Sequence, residues 1–366
     1  MVSLMNVLFR VDASYQIGSG HVMRCLTLAS ELRKKGNHVI FLSRNLKGNL
    51  SEIIENKGYE VIILENPYEE NIDSLFHSHW LGVKWATDAK QTLDVLKQLN
   101  VCVDWLVIDH YAIDEKWEKV VQNYVRRILV IDDLADRQHS CDVLVDQNYY
   151  LDLEKRYKGL VSESTIKLLG PQFAIIRDEF LVERALITER KRENNILLFF
   201  GGTDPTSETL KMVNYLKSAE TVINGKIHVV VGKNNNQKEM IRSFCNNNGN
   251  FVFHYEIDYM ARLMRECCFA IVAGGTITWE RYCMGLPALV IAVAHNQIEI
   301  AKNIATLNID MFLGSSDEYS NDALLRHLKE ICQNPKQLVV NSHNALNLVD
   351  GLGKYRILEI IARLDF

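Results

Sequence analysis

The 366-residue chain has no Cys-x-x-Cys, no Cys/His spacing that suits zinc and no Asp-x-Asp. A structural zinc site is therefore not expected, and neither is the usual carboxylate clamp for a divalent metal. A Walker loop is also missing, since Gly353-Lys354 lacks the upstream glycine and the following Ser or Thr, and there is no Gly-x-Ser-x-Gly. Proline occurs only 5 times, too rarely for a Pro-rich linker. No stretch approaches the about 18 uncharged apolar residues of a membrane span. Arg10 and Asp12 interrupt the first hydrophobic run, so no secretory leader is expected. Basic charge is not in excess: 41 Lys and Arg face 46 Asp and Glu, a net −5, which argues against a nucleic-acid partner. The basic run in Glu189-Arg-Lys-Arg-Glu193 is bracketed by acids and reads as a solvated linker. Eight cysteines are scattered, several inside apolar runs such as Glu266-Cys-Cys-Phe-Ala270. That usage suits reduced core thiols in a cytoplasmic protein.

What is present is ordinary globular material, 48% hydrophobic and 24% charged, long enough for two domains of roughly 150–200 residues each. The first half alternates apolar runs with helical spacing. Strands are expected at Asn6–Val11, Val39–Leu42, Val61–Leu64, Trp105–Ile108, Ile128–Ile131 and Val143–Val145, with helices at Trp85–Leu99 and Glu115–Tyr124. The charged segment Ile176–Asn195 breaks the rhythm and is expected to hold a boundary. Alternation restarts with Ile196–Phe200 and continues with Ile227–Val231, Phe251–Phe253, Phe269–Val272 and Ala288–Ile291. Strands alternating with helices imply parallel pairing. The expected architecture is α/β, with two doubly wound Rossmann-like domains and a cleft between them. The domains are placed at residues 1–180 and 190–345, with a C-terminal helix at 346–366.

In open α/β sheets ligands bind where strand ends feed helix starts, and four such loops stand out. Gly18-Ser-Gly-His21 begins like a dinucleotide fingerprint, but Met23 stands where the third glycine belongs. Ser43 and Arg44 stand where an acid should follow the second strand, so an NAD site is not expected. The turn through Gly18 and Gly20 still lets a ligand approach backbone N–H groups, and it places His21 at its mouth; a plain surface histidine is the rival reading. Gly201-Gly-Thr-Asp-Pro205 follows the strongest strand, where Gly201, Gly202 and Thr203 permit close backbone approach and Pro205 suits a first helical turn. In Ala273-Gly-Gly-Thr-Ile-Thr-Trp-Glu280, Gly274 and Gly275 end an apolar strand and Thr276 or Thr278 can cap the following helix. Such a turn suits a pyrophosphate, with Glu280 one turn further in to accept from vicinal ribose hydroxyls. His295-Asn-Gln297 sets the amides of Asn296 and Gln297 at a strand end, where they suit hydroxyl and acetamido groups.

Taken together, these motifs resemble a known family. Arg10-Val-Asp-Ala-Ser14 and Ile17-Gly-Ser-Gly-His-Val-Met-Arg-Cys-Leu-Thr-Leu-Ala29 are similar to the opening of the UDP-2,4-diacetamido-2,4,6-trideoxy-β-L-altropyranose hydrolases of pseudaminic acid biosynthesis. The likeness continues at Asp109-His-Tyr111, Asp132-Asp-Leu-Ala-Asp-Arg137, Asp146-Gln-Asn148, Leu169–Arg177, Gly201–Asp204, Gly274–Gly285 and Asn296-Gln297. The Gly274–Gln297 part also resembles the nucleotide site of GT-B transferases. The resemblance implies a GT-B-like fold and an inverting, metal-independent hydrolysis at the sugar C1 that releases UDP, without a cofactor. It implies His21, Tyr111 and Asn296 in catalysis, Gly274–Glu280 on UDP, and Ile257 and Met260 at the uracil. A UDP-sugar is then the expected small-molecule partner, and the clamshell architecture is compatible with a monomer. A GT-B glycosyltransferase using a UDP-sugar donor is the alternative.

Overall fold

A computed structural model describes residues 4–67, 75–187, 193–218 and 224–364. The basic run expected to be a linker falls, apart from Glu193, outside the described residues. Two compact units are present. One comprises Met1–Asn148, Asp152–Ile175 and Leu352–Phe366, the other Tyr149–Leu151 and Ile176–Gly351.

The first unit is built on a parallel sheet of β1 (Asn6–Val11), β2 (His38–Arg44), β3 (Glu60–Leu64), β4 (Val103–Asp109), β5 (Val125–Ile131), β6 (Val143–Asp146) and β7 (Ile166–Leu169). Its order is β3-β2-β1-β4-β5-β6-β7. The central strands are apolar on both faces, as a sheet covered by helices on each side requires. Phe9 and Phe41 stack 5.0 Å apart on one face, while Leu8, Leu106 and Trp117 are buried on the other. Fully burying one such side chain is worth about 1.5–3 kcal/mol. The final helix, Gly353–Leu364, adds Ile357, Leu358 and Ile361 to the Phe9 face. Lys354 is buried there and meets Glu31 at 3.3 Å.

The second unit is a parallel sheet of β8 (Asn195–Phe199), β9 (Ile227–Val231), β10 (Phe251–Tyr255), β11 (Cys267–Ala273), β12 (Ala288–Ala292) and β13 (Met311–Ser315), ordered β10-β9-β8-β11-β12-β13. Both sheets are doubly wound, as the alternation implied. Each has one point where successive connections leave in opposite directions, between β1 and β4 in one and between β8 and β11 in the other. Ligands of such sheets sit at the carboxyl ends of the strands flanking that point.

Two edge strands were not expected. β7 has only four residues, one of them Lys167, and β13 is half-buried and carries Gly314 at φ 117°. No helix among the described residues is long and apolar enough to cross a membrane. The eight cysteines form no disulfide.

Candidate active site

In the first unit the register pairs Val11 with Asp109, so the ends of β1 and β4 lie side by side at the switch point. After β1 the chain turns through Ser14–Gly18. The Ser14 hydroxyl accepts the N–H groups of Gln16 and Ile17, and Gly18 takes φ 78°. Helix Gly20–Lys34 starts directly behind that turn, with His21 as its second residue. His21 is not a surface residue: it is 8% exposed, and Nδ1 lies 2.6 Å from Asp109 Oδ1. Burial pushes the Asp109 carboxyl up, but Arg24 and His21 outweigh it and hold it below the usual carboxylate range. An ionised Asp109 can only accept, so Nδ1 carries the proton of this bond.

Arg24, one helical turn after His21, fixes this pair. Its Nε and Nη2 grip the two Asp109 oxygens at 2.6 Å each, and Nη1 reaches Asp133 Oδ2 at 2.6 Å. Such a forked contact sets geometry as well as charge. Tyr111 Oη donates to the same Asp133 oxygen at 2.8 Å, and Asn148 Nδ2 donates to the other at 3.1 Å. Burial and then Asp133 raise the Tyr111 phenol well above its ordinary value, so it remains a donor. Its ring meets the His21 imidazole edge-on at 4.6 Å and stacks on Trp80 at 5.4 Å. His77 packs against Trp80 at 4.6 Å, and burial, the largest influence on it, lowers its imidazole to about 4. The His21 imidazole is thus flanked by aromatic rings and tied through Nδ1 to a carboxylate that Arg24 holds.

The Arg44 that displaced the expected acid after β2 serves the fold instead. It is buried and pairs with Asp88 at 2.6 Å, beside the Arg10 grip on Asp12 and Asp88.

In the second unit three of the four predicted loops' features reappear at strand ends. After β11, Gly274 donates to the Ile291 carbonyl at 3.4 Å, and Gly275 and Thr276 are exposed. Thr276 occupies the N-cap position of helix Ile277–Cys283, but its side chain makes no capping bond, and Thr278 is buried within the helix. A Cβ on Gly275 would meet nothing nearer than Gln297 Nε2 at 4.0 Å. The chain itself therefore does not require that glycine. Gln297 Oε1 accepts from Val293 at 3.0 Å, which sets the amide beside the glycine pair. Asn296 is exposed at the start of helix His295–Ala305. Glu280 is half-buried and bonded to Arg177.

After β8, Gly201 takes φ 86°, and the Cα of Gly202 lies only 2.5 Å from where a Cβ on Gly232 would stand. Pro205 does not open the helix. Helix Glu208–Ser218 begins three residues later, capped by the Asp204 carboxylate through Glu208 N at 2.8 Å and Thr209 N at 2.9 Å. That carboxylate already occupies the helix start, so Gly201–Thr203 is not an anion cradle of the helix-end kind. Ile257 is half-buried in the turn after β10, which Glu256 enters at φ 47°, and Met260 is buried as the first residue of helix Met260–Glu266.

Arg24, Trp80, Asp109, Asp133 and Asn148 were not predicted site residues. The signal for three of them was present, because Asp109 ends β4 while Asp133 and Asn148 lie two residues past the ends of β5 and β6.

Residues 196–356 match the family described as glycosyltransferase family 28 C-terminal domain. The UDP-2,4-diacetamido-2,4,6-trideoxy-beta-L-altropyranose hydrolase of Campylobacter jejuni is 26% identical over 302 residues, 82% of this chain and 96% of that protein. An uncharacterized protein of Methanocaldococcus jannaschii is 25% identical over 369 residues and 98% of this chain, which spans 66% of that relative's length. Among solved structures, Arabidopsis thaliana UGT89C1 complexed with UDP-L-rhamnose is 13% identical, with all of both chains covered and a TM-score of 0.65. The chain therefore has a GT-B-like fold of two Rossmann-like sheets, and over most of its length it is a homologue of proteins that include a named UDP-sugar hydrolase.

Proposed function

We propose that this chain hydrolyses a UDP-linked 2,4-diacetamido-2,4,6-trideoxy sugar at C1, with inversion, releasing UDP and the free sugar for pseudaminic acid biosynthesis. The observation that carries this reading is the Asp109–His21 pair at 2.6 Å, which orients the ring through Nδ1; Nε2 is assigned as the proton acceptor. In the proposed reaction Nε2 takes a proton from water as the water oxygen bonds to C1. The C1–O bond breaks on the opposite side and its electrons leave with UDP. The imidazolium formed is stabilised by Asp109, and general-base help of this kind is typically worth about 10²–10⁴-fold. Tyr111 and Asn296 are assigned to hold the sugar, and Gln297 is assigned to its polar groups. The backbone N–H groups at Gly274–Thr276 are assigned to the diphosphate, Glu280 to the ribose, and Ile257 and Met260 to the uracil. Gly18, Gly20, Gly201, Gly202 and Thr203 complete the proposed contact set. UDP is a good leaving group already, so the reading needs no metal; it goes with a cytoplasmic enzyme and is compatible with a monomer.

A UDP-sugar glycosyltransferase is the second reading, favoured by the family 28 match over residues 196–356. Acceptor-free incubation with the diacetamido sugar nucleotide separates the two. Steady UDP release that persists in EDTA, with ¹⁸O from labelled water found in the sugar, supports the hydrolase. UDP release only when an acceptor is added supports the transferase, and label in phosphate sinks both. His21→Ala is expected to lose most turnover while keeping UDP affinity.

A further inference from the structure

Arg177 lies at the start of the second unit's long stretch, Ile176–Gly351, and is the N-cap of helix Asp178–Arg184. Its guanidinium is held on three sides. Nε donates to Glu280 Oε1 at 2.8 Å, Nη1 meets Glu179 Oε1 at 2.5 Å, and the central carbon lies 4.9 Å over the buried Phe180 ring. Glu280 is the acid in the first turn of helix Ile277–Cys283. Its neighbour Arg281 turns the other way, onto Asp310 at 2.6 Å, and Trp279 is buried. Among the described residues, Arg177 is the side chain that hydrogen-bonds to Glu280, and it does so through Oε1. Oε2 is left open.

A carboxylate that reads a vicinal diol must accept a hydrogen bond on each side, in one rotamer, while ionised. A Glu side chain left alone forfeits much of that gain in rotamer entropy. A lone carboxylate would also repel a diphosphate at the neighbouring glycine turn. Arg177 answers both difficulties, because it fixes the rotamer through Oε1 and offsets the charge. Resting on the UDP-sugar reading above, we propose that Arg177 is a positioning residue for the nucleotide's ribose. It orients Glu280 so that the 2′- and 3′-hydroxyls are both recognised, which makes the site selective for ribo- over deoxyribonucleotides. The forked geometry matters as well as the charge, since lysine offers a point charge and cannot divide two planar contacts between Glu280 and Glu179.

The test is calorimetric binding of UDP and 2′-deoxy-UDP to the full-length protein, with thermal melts to confirm folding. The wild type is expected to favour UDP by about tenfold or more, in line with loss of one hydrogen bond to a charged group. Arg177→Met is expected to cut that preference to about threefold or less, mainly by weakening UDP, and Arg177→Lys is expected to fall between. Adding Glu280→Ala to Arg177→Met should remove little further preference, because the two act on one contact. If Arg177→Met weakens both ligands equally and keeps the wild-type ratio, Arg177 supplies charge alone and the proposal is overturned. Should Arg177→Met fail to fold, a Lys variant that keeps the full ratio overturns it equally. A wild type that binds both nucleotides alike also overturns it, whereas a wild type that binds no UDP sinks the UDP reading instead.

Discussion

His21 Nδ1 and Asp109 Oδ1 are 2.6 Å apart, and Arg24 grips both oxygens of the same carboxylate. The pair fixes one tautomer of the imidazole. Asp109→Asn would keep the shape but offers Nδ1 either a carbonyl or an amide, so both tautomers become populated. We expect kcat for acceptor-free hydrolysis to fall roughly 10²–10³-fold with UDP affinity unchanged. Steady-state kinetics with UDP as product inhibitor measures both quantities. A kcat within a few-fold of wild type would remove the base assignment from His21.

Asp146 and Tyr157 make a second, pH-dependent relationship. Asp146 Oδ2 lies 2.9 Å from the Tyr157 hydroxyl, which also lies 3.0 Å from Asp132 Oδ2, and one phenolic proton cannot serve both carboxylates. Burial, then the neighbouring Asp133, raise Asp146 to about 7. The folded value exceeds the unfolded one, so between about pH 4 and pH 7 the folded chain binds more protons than the unfolded chain. The stability contributed is fully present below the unfolded value and is lost as pH rises through the folded one. Asp146→Asn keeps a neutral side chain at every pH. Its melting temperature should match wild type near pH 4 and exceed it by on the order of 2–4 °C at pH 8. Melts across that range check this, and a difference that does not grow with pH contradicts it.

The parallel sheets were readable because buried strands in such folds are nearly uninterrupted apolar runs, as in Asn6–Val11 and Ile227–Val231, both found with the expected bounds. The edge strands β7 and β13 lack that mark, since one face of an edge needs no apolar cover. His21 was legible beside a glycine turn, whereas Tyr111 was singled out only through the family resemblance of Asp109-His-Tyr111. Arg24 was not, because an arginine between Met23 and Cys25 on a helix looks like one more solvated charge. Only the fold shows that Asp109 and Asp133, 24 residues apart in the chain, converge on it. The helix after Gly201 was misplaced because Pro205 is a common first-turn residue, whereas Asp204, at φ 47°, bends the chain and caps the helix from further away.

That cap predicts a stability effect. Asp204→Ala leaves two N–H groups at the start of helix Glu208–Ser218 without their acceptor and forces alanine into a left-handed backbone. The expected loss is about 1–2 kcal/mol from the cap alone, read from urea unfolding. Asp204→Asn, which tolerates that backbone and keeps one oxygen, should lose about half as much. Equal losses in the two variants would mean that the intact carboxylate with both oxygens, and not tolerance of the left-handed backbone, holds this turn.

Gly275 separates the needs of the fold from the needs of a ligand. Its φ lies outside the left-handed region, and an added Cβ would come no nearer to the rest of the protein than 4.0 Å, at Gln297 Nε2. Gly274 differs, since its Cβ would stand 3.3 Å from the Gln297 Cβ and 3.5 Å from Val290 Cγ1. Gly275→Ala should therefore fold as well as wild type, or gain about 0.4–1 kcal/mol through a less flexible unfolded chain. If a diphosphate lies against this turn, the new methyl stands between it and the backbone N–H groups, and UDP affinity should drop about tenfold or more. Calorimetry with UDP, paired with a thermal melt, gives both numbers on one preparation. A variant with unaltered UDP affinity would place the diphosphate somewhere other than Gly274–Thr276, whatever the melt shows.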